Sequence, residues 1–228
     1  MRLVAWNCHH GSIDGRLADL AGLAPDIVFL QECTPTVSSL PHRITRRVGP
    51  RKAVALASLN ENHRLEALAP KRNSSRGAVA ATVTGPVSFT ALGIWARGPG
   101  YAADVMRTIK AYAKVLRSGP AVVMGDLNSG THLHRKGSPS RGNDRIVAAL
   151  EDLGLVSAYH VFHSVPHGHE PHATYRHLFK ASEPWHIDFC FVPASWVDRL
   201  VSVEIADGEA WAGRSDHLPV VVDLDQEL

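Results

Sequence analysis

The sequence predicts a mixed α/β domain of many short strands and a few amphipathic helices. Apolar runs of strand length recur along the whole chain, as in Ile27 to Leu30, Phe89 to Trp95 and Val220 to Leu224. Helical stripes separate some of them, the clearest being Val105, Ile109, Tyr112 and Leu116. At 228 residues the chain can bury an ample core, and mixed two-sheet folds of this size form one unit, so residues 1–228 are expected to make a single domain. Periodicity alone leaves several mixed architectures open.

A hydrophobic fraction of 45% and a charged fraction of 20% exclude a largely disordered or collagen-like chain. No apolar run reaches the roughly 18 residues of a membrane span, and Met1 to His10 lacks the basic-then-apolar pattern of a signal peptide. The expectation is a soluble, cytoplasmic protein with no membrane span. Cys8, Cys33 and Cys190 are widely spaced and odd in number, which argues for buried, reduced thiols rather than a disulfide framework. Charge is unevenly placed. From Pro41 to Arg76, nine Lys/Arg face Glu61 and Glu66, a local +7 in a chain whose total is +2. Such a segment is either a cationic surface for phosphates or a set of solvated loops.

In chain order, Arg2 to Trp6 reads as a strand ending at Asn7, and Leu17, Leu20 and Leu23 as a helical stripe. Ile27 to Leu30 makes a strand that ends in Gln31 and Glu32, with a short helix or turn opening at Thr34 and Pro35. A carboxylate directly after an apolar run needs a cation or a donor if it is buried. Strands around Ile44, Val54 to Leu59, Leu65 to Leu68 and Ala78 to Val83 are spaced like a meander. Phe89 to Trp95 is another strand, followed by the Arg97 to Gly100 turn and a helix over Ala102 to Leu116.

That helix returns the chain to Ala121 to Gly130, where a buried strand stops in a carboxylate, an amide and a glycine. Asp126 and Asn128 share a side by period-two alternation, as a turn or as a site. A polar loop with His132, His134, Arg135, Lys136 and Arg141 follows, and Asn143 is expected to cap a helix carrying Ile146, Val147, Leu150 and Leu153. His160 to His177 holds six of the fourteen histidines. Such tracts can bind zinc or nickel, but the spacing fits no closed zinc pattern and Pro166, Gly168 and Pro171 predict a solvent-facing loop. Thr174 and Tyr175 lead into a strand. Asp188 interrupts the apolar run Ile187 to Val192 and requires a partner if buried. Asp216 and His217 enter from the loop before the last strand.

Asn7, Glu32, Asp126, Asn128, Asp188, Asp216 and His217 thus stand at strand ends, without a nucleophilic serine motif or a phosphate-cradling glycine loop. Their carboxylates and amides are hard oxygen donors suited to Mg²⁺. The ordered set of Trp6-Asn7, Gln31-Glu32, Gly125-Asp126-Leu127-Asn128, Ile187-Asp188 and Ser215-Asp216-His217 resembles the endonuclease/exonuclease/phosphatase superfamily, the deoxyribonuclease I-like phosphoesterases. The resemblance spans Arg2 to Leu224. It implies a four-layer α/β/β/α sandwich of two mostly antiparallel sheets with outer helices.

The resemblance also implies roles. Glu32 would be the principal Mg²⁺ ligand, with Asp216 near the same ion and Mn²⁺ a possible substitute. Asp126, held by Asn7, would orient or deprotonate the attacking water. Asn128 would hydrogen-bond the scissile phosphate, and His217, kept protonated by Asp188, would donate to a non-bridging oxygen. One departure stands out: many members carry His-Leu at the end of the strand before the middle helix, or a tyrosine shortly after. Here that place reads Trp95-Ala96-Arg97. Arg97 or Tyr101 could replace the missing group, or Trp95 could be core and Arg97 a turn residue; Arg76 is a further candidate phosphate contact. The expected activity is Mg²⁺-dependent cleavage of nucleic acid, in first place DNA. The alternatives are a phosphatase or phosphodiesterase of a small molecule or lipid headgroup, and a non-catalytic binding module.

Overall fold

Two six-stranded sheets pack face to face and bury their apolar faces against each other and against helices. The structure, a computed structural model, describes residues 1–35, 42–131, 141–180, 182, 184–206, 209–211 and 213–226, and for Arg141 the backbone only. Pro41, His132, His134, Arg135, Lys136, the Arg141 side chain and any helix or turn beyond Pro35 lie outside the described residues.

The first half of the chain runs β1 (Arg2–Asn7), α1 (Ile13–Leu20), β2 (Ile27–Cys33), β3 (Arg43–Arg47), β4 (Ala53–Ser58), β5 (Arg64–Ala67), β6 (Ala78–Thr84), β7 (Phe89–Trp95) and α2 (Tyr101–Leu116). The second runs β8 (Ala121–Asp126), α3 (Arg141–Glu151), β9 (Leu155–Ser157), α4 (Ala158–His163), β10 (Tyr175–Arg176), β11 (Pro184–Trp185), β12 (Asp188–Pro193), β13 (Leu200–Ile205) and β14 (Val220–Leu224). One sheet has the order β13-β14-β1-β2-β4-β3, the other β5-β6-β7-β8-β12-β9, and β10 and β11 form a separate small ribbon.

Alternation along the strands builds the layers. In β1, Leu3 and Ala5 point between the sheets, where they meet Phe29, Leu56, Val122, Met124 and Val222. Val4 and Trp6 point the other way and pack under α1 with Ile13, Leu17 and Leu20. The second sheet does the same with Leu92, Val123 and Phe191, which meet Val105, Ile109 and Tyr112 of α2 and Ile146 and Leu150 of α3. Strands covered on both faces read as continuous apolar runs, which is why β1, β2 and β8 stand out in the sequence.

The parallel pairs follow from connectivity. β1–β2 and β7–β8 are parallel, and parallel neighbours require a crossover, which α1 and α2 supply. Ser12 caps α1, its Oγ accepting from the Gly15 N–H at 3.2 Å. The carboxyl ends of all four strands therefore meet at one edge of the sandwich, where the Asn7 side chain reaches Asp126.

Three expectations are corrected. The strands from β3 to β6 are no single meander: β3 pairs with β4 in one sheet, β5 with β6 in the other, and the chain crosses between sheets after β4. Asn143 does not cap α3 but lies inside it, its Nδ2 donating to Thr131 Oγ1 at 2.9 Å. His160 and His163 belong to α4, and the segment after them packs back onto it through Glu170 and His172 Nδ1, while Pro166, His169 and Pro171 face solvent. No helix among the described residues is long and apolar enough to cross a membrane. Cys8, Cys33 and Cys190 are buried and free, as expected.

Candidate active site

Every strand-end residue singled out in the sequence lies at this common edge. Asp126 ends β8 and faces Asp188, the first residue of β12, directly across the antiparallel ladder. Gly125 before it has φ +138°, and a Cβ there would sit 2.2 Å from the Ile94 carbonyl oxygen, so no side chain fits. Asp126 is fully buried. Its Oδ2 accepts from Asn7 Nδ2 and from Asn128 Nδ2, both at 2.9 Å, and its Oδ1 accepts from the Asn128 N–H at 2.8 Å. Asn128 holds that position in a left-handed conformation, φ 45°.

Asn7 is the bridge between the sheets, since its Nδ2 also reaches Glu32 Oε1 at 3.2 Å. Glu32 owes its position to a slip in register: Leu30 pairs with Ala55 and Cys33 with Ala53, so Gln31 and Glu32 together oppose the single Val54. Glu32 takes φ 57°, and His9 and His10 are left-handed too, at 40° and 70°. Such conformations cost on the order of 1–3 kcal/mol each, and their clustering here marks a functional edge. Lys52, just before β4, donates to Glu32 Oε2. Burial would raise the Glu32 carboxyl, but the Lys52 and Asn7 hydrogen bonds outweigh it and hold the group below the usual range.

His217 is fixed on both sides. Its Nδ1 lies 2.8 Å from Asp188 Oδ2, and its Nε2 faces Asp126 Oδ2 at 3.9 Å. Its backbone is tied down as well. The Ser215 Oγ donates to the Asn7 carbonyl at 2.7 Å and accepts from the His217 N–H at 3.1 Å, and Trp6 Nε1 donates to the His217 carbonyl at 3.0 Å. Burial pulls the imidazole towards neutrality, yet Asp188 and Asp126 together raise it to about 9. Burial pushes the Asp126 carboxyl up to about 7, with Asp188 adding to the rise while His217, Asn7 and Asn128 oppose it.

Asp216, half-buried, has Oδ1 3.3 Å from His9 Nδ1. Trp95 is core: 6% exposed, it packs between the sheets, with the Lys52 ammonium 5.1 Å and the Arg97 guanidinium 4.7 Å from its ring centroid. Arg97 also donates to the Val48 carbonyl at 3.3 Å and lines a cleft of about 850 Å³ beside Glu32 with His10, Thr34, Arg51 and Lys52. Arg76 is exposed at the same sheet edge, next to Gly77, whose close approach to the Trp95 carbonyl admits no side chain. Tyr101 opens α2 and is 44% exposed.

Sequence reasoning missed three contributors. Tyr175 bridges to His217 and lays its ring 4.5 Å from the imidazole. Burial, then the Asp216, Asp126 and Glu32 carboxylates, push its phenol up to about 12. Thr174 Oγ1 donates to Asp188 Oδ2 at 2.7 Å while accepting the N–H groups of Ile187 and Asp188, each at 3.0 Å. Lys52 was legible only as one of nine cations. The Thr174-Tyr175 pair was legible as a strand start, with nothing in its spacing to reveal the contact with Asp188.

The donor chemistry fits a hard dication. Glu32 and Asp216 offer oxygen ligands of the kind Mg²⁺ takes, one or two carboxylates with the remaining positions left to water and phosphate. Asp126 and Asp188 add two buried carboxylates against one imidazolium, and Asp188 Oδ1 is buried with no hydrogen-bond partner. With His217 these two also form a group whose donor atoms lie within 4.8 Å of one another.

A two-sheet sandwich with buried carboxylates, amides and an aspartate-held imidazolium converging on one edge defines a phosphoesterase of the deoxyribonuclease I-like type. The chain belongs to the endonuclease/exonuclease/phosphatase family, whose model matches residues 4–217. Members of that family are metal-dependent phosphoesterases, and the chain is an enzyme of this class rather than a non-catalytic binding module. Among solved structures, it is similar to an AP endonuclease from Archaeoglobus fulgidus, at 20% identity over 99% of both chains and a TM-score of 0.75. It is also similar to the 3'-5' exonuclease NExo from Neisseria meningitidis, at 20% identity over 99% of this chain and 100% of that one, with a TM-score of 0.72. The endonuclease domain of TRAS1, a telomere-specific non-LTR retrotransposon, shares 15% identity over 99% of both chains with a TM-score of 0.69. At these identities the likeness shows the fold. No curated protein sequence matches the chain.

Proposed function

We propose that the protein is a Mg²⁺-dependent nuclease that hydrolyses DNA phosphodiesters. The cleft beside Glu32 carries this reading: Arg51, Lys52, Arg97 and His10 line it, a basic surface of the kind that pairs with backbone phosphates. Just beyond β10, His177 stacks on Trp185 of β11 with ring centroids 5.2 Å apart and planes at 18°, a surface on which a base can lie. A structure of the Neisseria 3' phosphatase NExo, similar at 20% identity, was solved with product DNA hairpin, in keeping with a nucleic-acid substrate here.

Glu32 and Asp216 would hold Mg²⁺, with Mn²⁺ a substitute, and the bound ion would supply charge stabilisation for the phosphate as attack adds charge to its oxygens. Asp126, poised by burial near neutrality and aimed by Asn7 and Asn128, takes the proton of the attacking water. Asn128 Nδ2 donates to Asp126 Oδ2 and, at 3.2 Å, to the Ala96 carbonyl, and the second of these hydrogens would turn to the phosphate. His217 Nε2–H donates to a non-bridging oxygen, and Asp188, itself braced by Thr174, keeps the imidazole charged. Arg97, Arg76 and Tyr101 are the phosphate contacts around this centre, since Trp95 is committed to the core.

A small phosphoester is the second reading, and a specific observation favours it. Part of the basic segment is spent on the fold, with Arg46 donating to the Ala78 carbonyl at 2.8 Å and Arg47 to the Pro35 carbonyl at 3.4 Å. Salt dependence separates the two. A nuclease held by phosphate contacts should bind duplex DNA with log affinity falling by about 0.9 per contact per log unit of salt. Arg51→Ala with Arg97→Ala should flatten that slope by roughly one unit for each lost contact. A slope indifferent to both replacements would favour the small substrate.

A further inference from the structure

The histidine-rich segment after α4 is not used by the phosphoesterase site, yet it converges on a second point in the fold. His160 of α4, whose side chain is 6% exposed, places Nε2 2.9 Å from Glu170 Oε1, and the Glu170 side chain is 2% exposed. The other nitrogen of His160, Nδ1, pairs with Ser157 Oγ at 2.7 Å, which fixes the ring and leaves Nε2 directed at Glu170. His167 stacks on His160, centroids 3.5 Å apart and planes at 21°. Its Nδ1 is enclosed and has no hydrogen-bond partner, an arrangement buried polar atoms avoid unless something else satisfies them. Donor atoms from His160, His167 and Glu170 all lie within 4.8 Å of one another.

We propose that His160, His167 and Glu170 form a site for a transition-metal dication of borderline softness, Zn²⁺ or Ni²⁺, separate from the phosphoesterase centre. Two imidazoles and one carboxylate with an open fourth position suit such an ion and suit Mg²⁺ poorly. The ion replaces the proton shared by His160 Nε2 and Glu170, and His167 turns off its stack to reach it. The site clips the segment through Glu170 onto α4. Four residues on, the same segment delivers Thr174 to Asp188, and His172 accepts from His186 Nδ1 at 2.8 Å on the way. A bound ion therefore stabilises the strap that braces Asp188.

The test is calorimetric titration of Zn²⁺ and, separately, Ni²⁺ into untagged, chelator-stripped full chain, with thermal unfolding followed in parallel. One equivalent of at least one ion should bind and raise the unfolding temperature. His167→Ala and Glu170→Gln should each weaken that binding by at least about 100-fold and abolish the thermal shift. His217→Ala, which dismantles the Asp126, Asp188 and His217 group, and Glu32→Gln, which removes the principal ligand of the phosphoesterase centre, should each keep both. Far-UV circular dichroism checks that the variants fold, and Glu170→Gln preserves side-chain volume. Binding that survives His167→Ala and Glu170→Gln, binding lost in His217→Ala or in Glu32→Gln alone, or no equivalent bound by the parent chain would each overturn the proposal.

Discussion

Glu32→Gln is expected to leave the fold intact and to lower metal-dependent phosphoester hydrolysis by about 10³-fold or more. The amide keeps the volume but cannot neutralise a dication, and metal stabilisation of a phosphoryl transition state amounts to several kcal/mol, each 1.36 kcal/mol being tenfold in rate. Lys52, which now donates to Glu32 Oε2, loses an anionic partner in the variant. Both groups are partly solvated, so the cost to stability should stay small. Turnover equal to the parent, measured at saturating Mg²⁺ on the same substrate, would remove Glu32 from the site.

Asp188→Asn should act through charge rather than shape. In the parent, His217 titrates at about 9 because Asp188 and Asp126 outweigh burial. Without the Asp188 anion burial gains, and the imidazole must lose its proton at lower pH. The form that donates to phosphate is the protonated one, so the alkaline limb of the pH-rate profile should move down, with a rate loss of roughly 10–100-fold at its maximum. Stability shifts in the same sense. A histidine whose pKa rises on folding from 6.5 to about 9 contributes stability that is full below 6.5 and lost as pH rises through 9. The gap between parent and variant should therefore be widest below about pH 6.5, shrink through neutral pH and close above 9. A profile that changes only in height would show that Asp188 does not set the charge of His217.

Much of this was legible in the chain because the relevant signals are local. β7 was bounded as Phe89 to Trp95, and α2 differs by one residue at its start. Apolar strands stop abruptly at Asn7 and Asp126, and the polar residue at each stop is the one that enters the site. Other features depend on pairings that no local pattern encodes. The slip that lets Gln31 and Glu32 oppose Val54 alone is set by β4, and the division of β3 to β6 between two sheets by partners far along the chain. The histidine segment was misread because Pro166, Gly168 and Pro171 signal a loop, which it largely is. They say nothing of whether that loop packs: the Glu170 side chain is buried beneath it, while His169 and Pro171 face solvent as the sequence predicts. Trp95 settles an alternative the sequence left open: it is core, a buried indole under two cations where many family members carry His-Leu.

The most direct test of the account is hydrolysis by the purified chain of plasmid DNA, abasic duplex, single strands, RNA and small phosphoesters, each with Mg²⁺, Mn²⁺ or EDTA. The account predicts cleavage of DNA with Mg²⁺, a comparable or lower rate with Mn²⁺, none with EDTA, and none by Asp126→Asn under any condition. Hydrolysis that persists in EDTA, or that is confined to small phosphoesters, would contradict it.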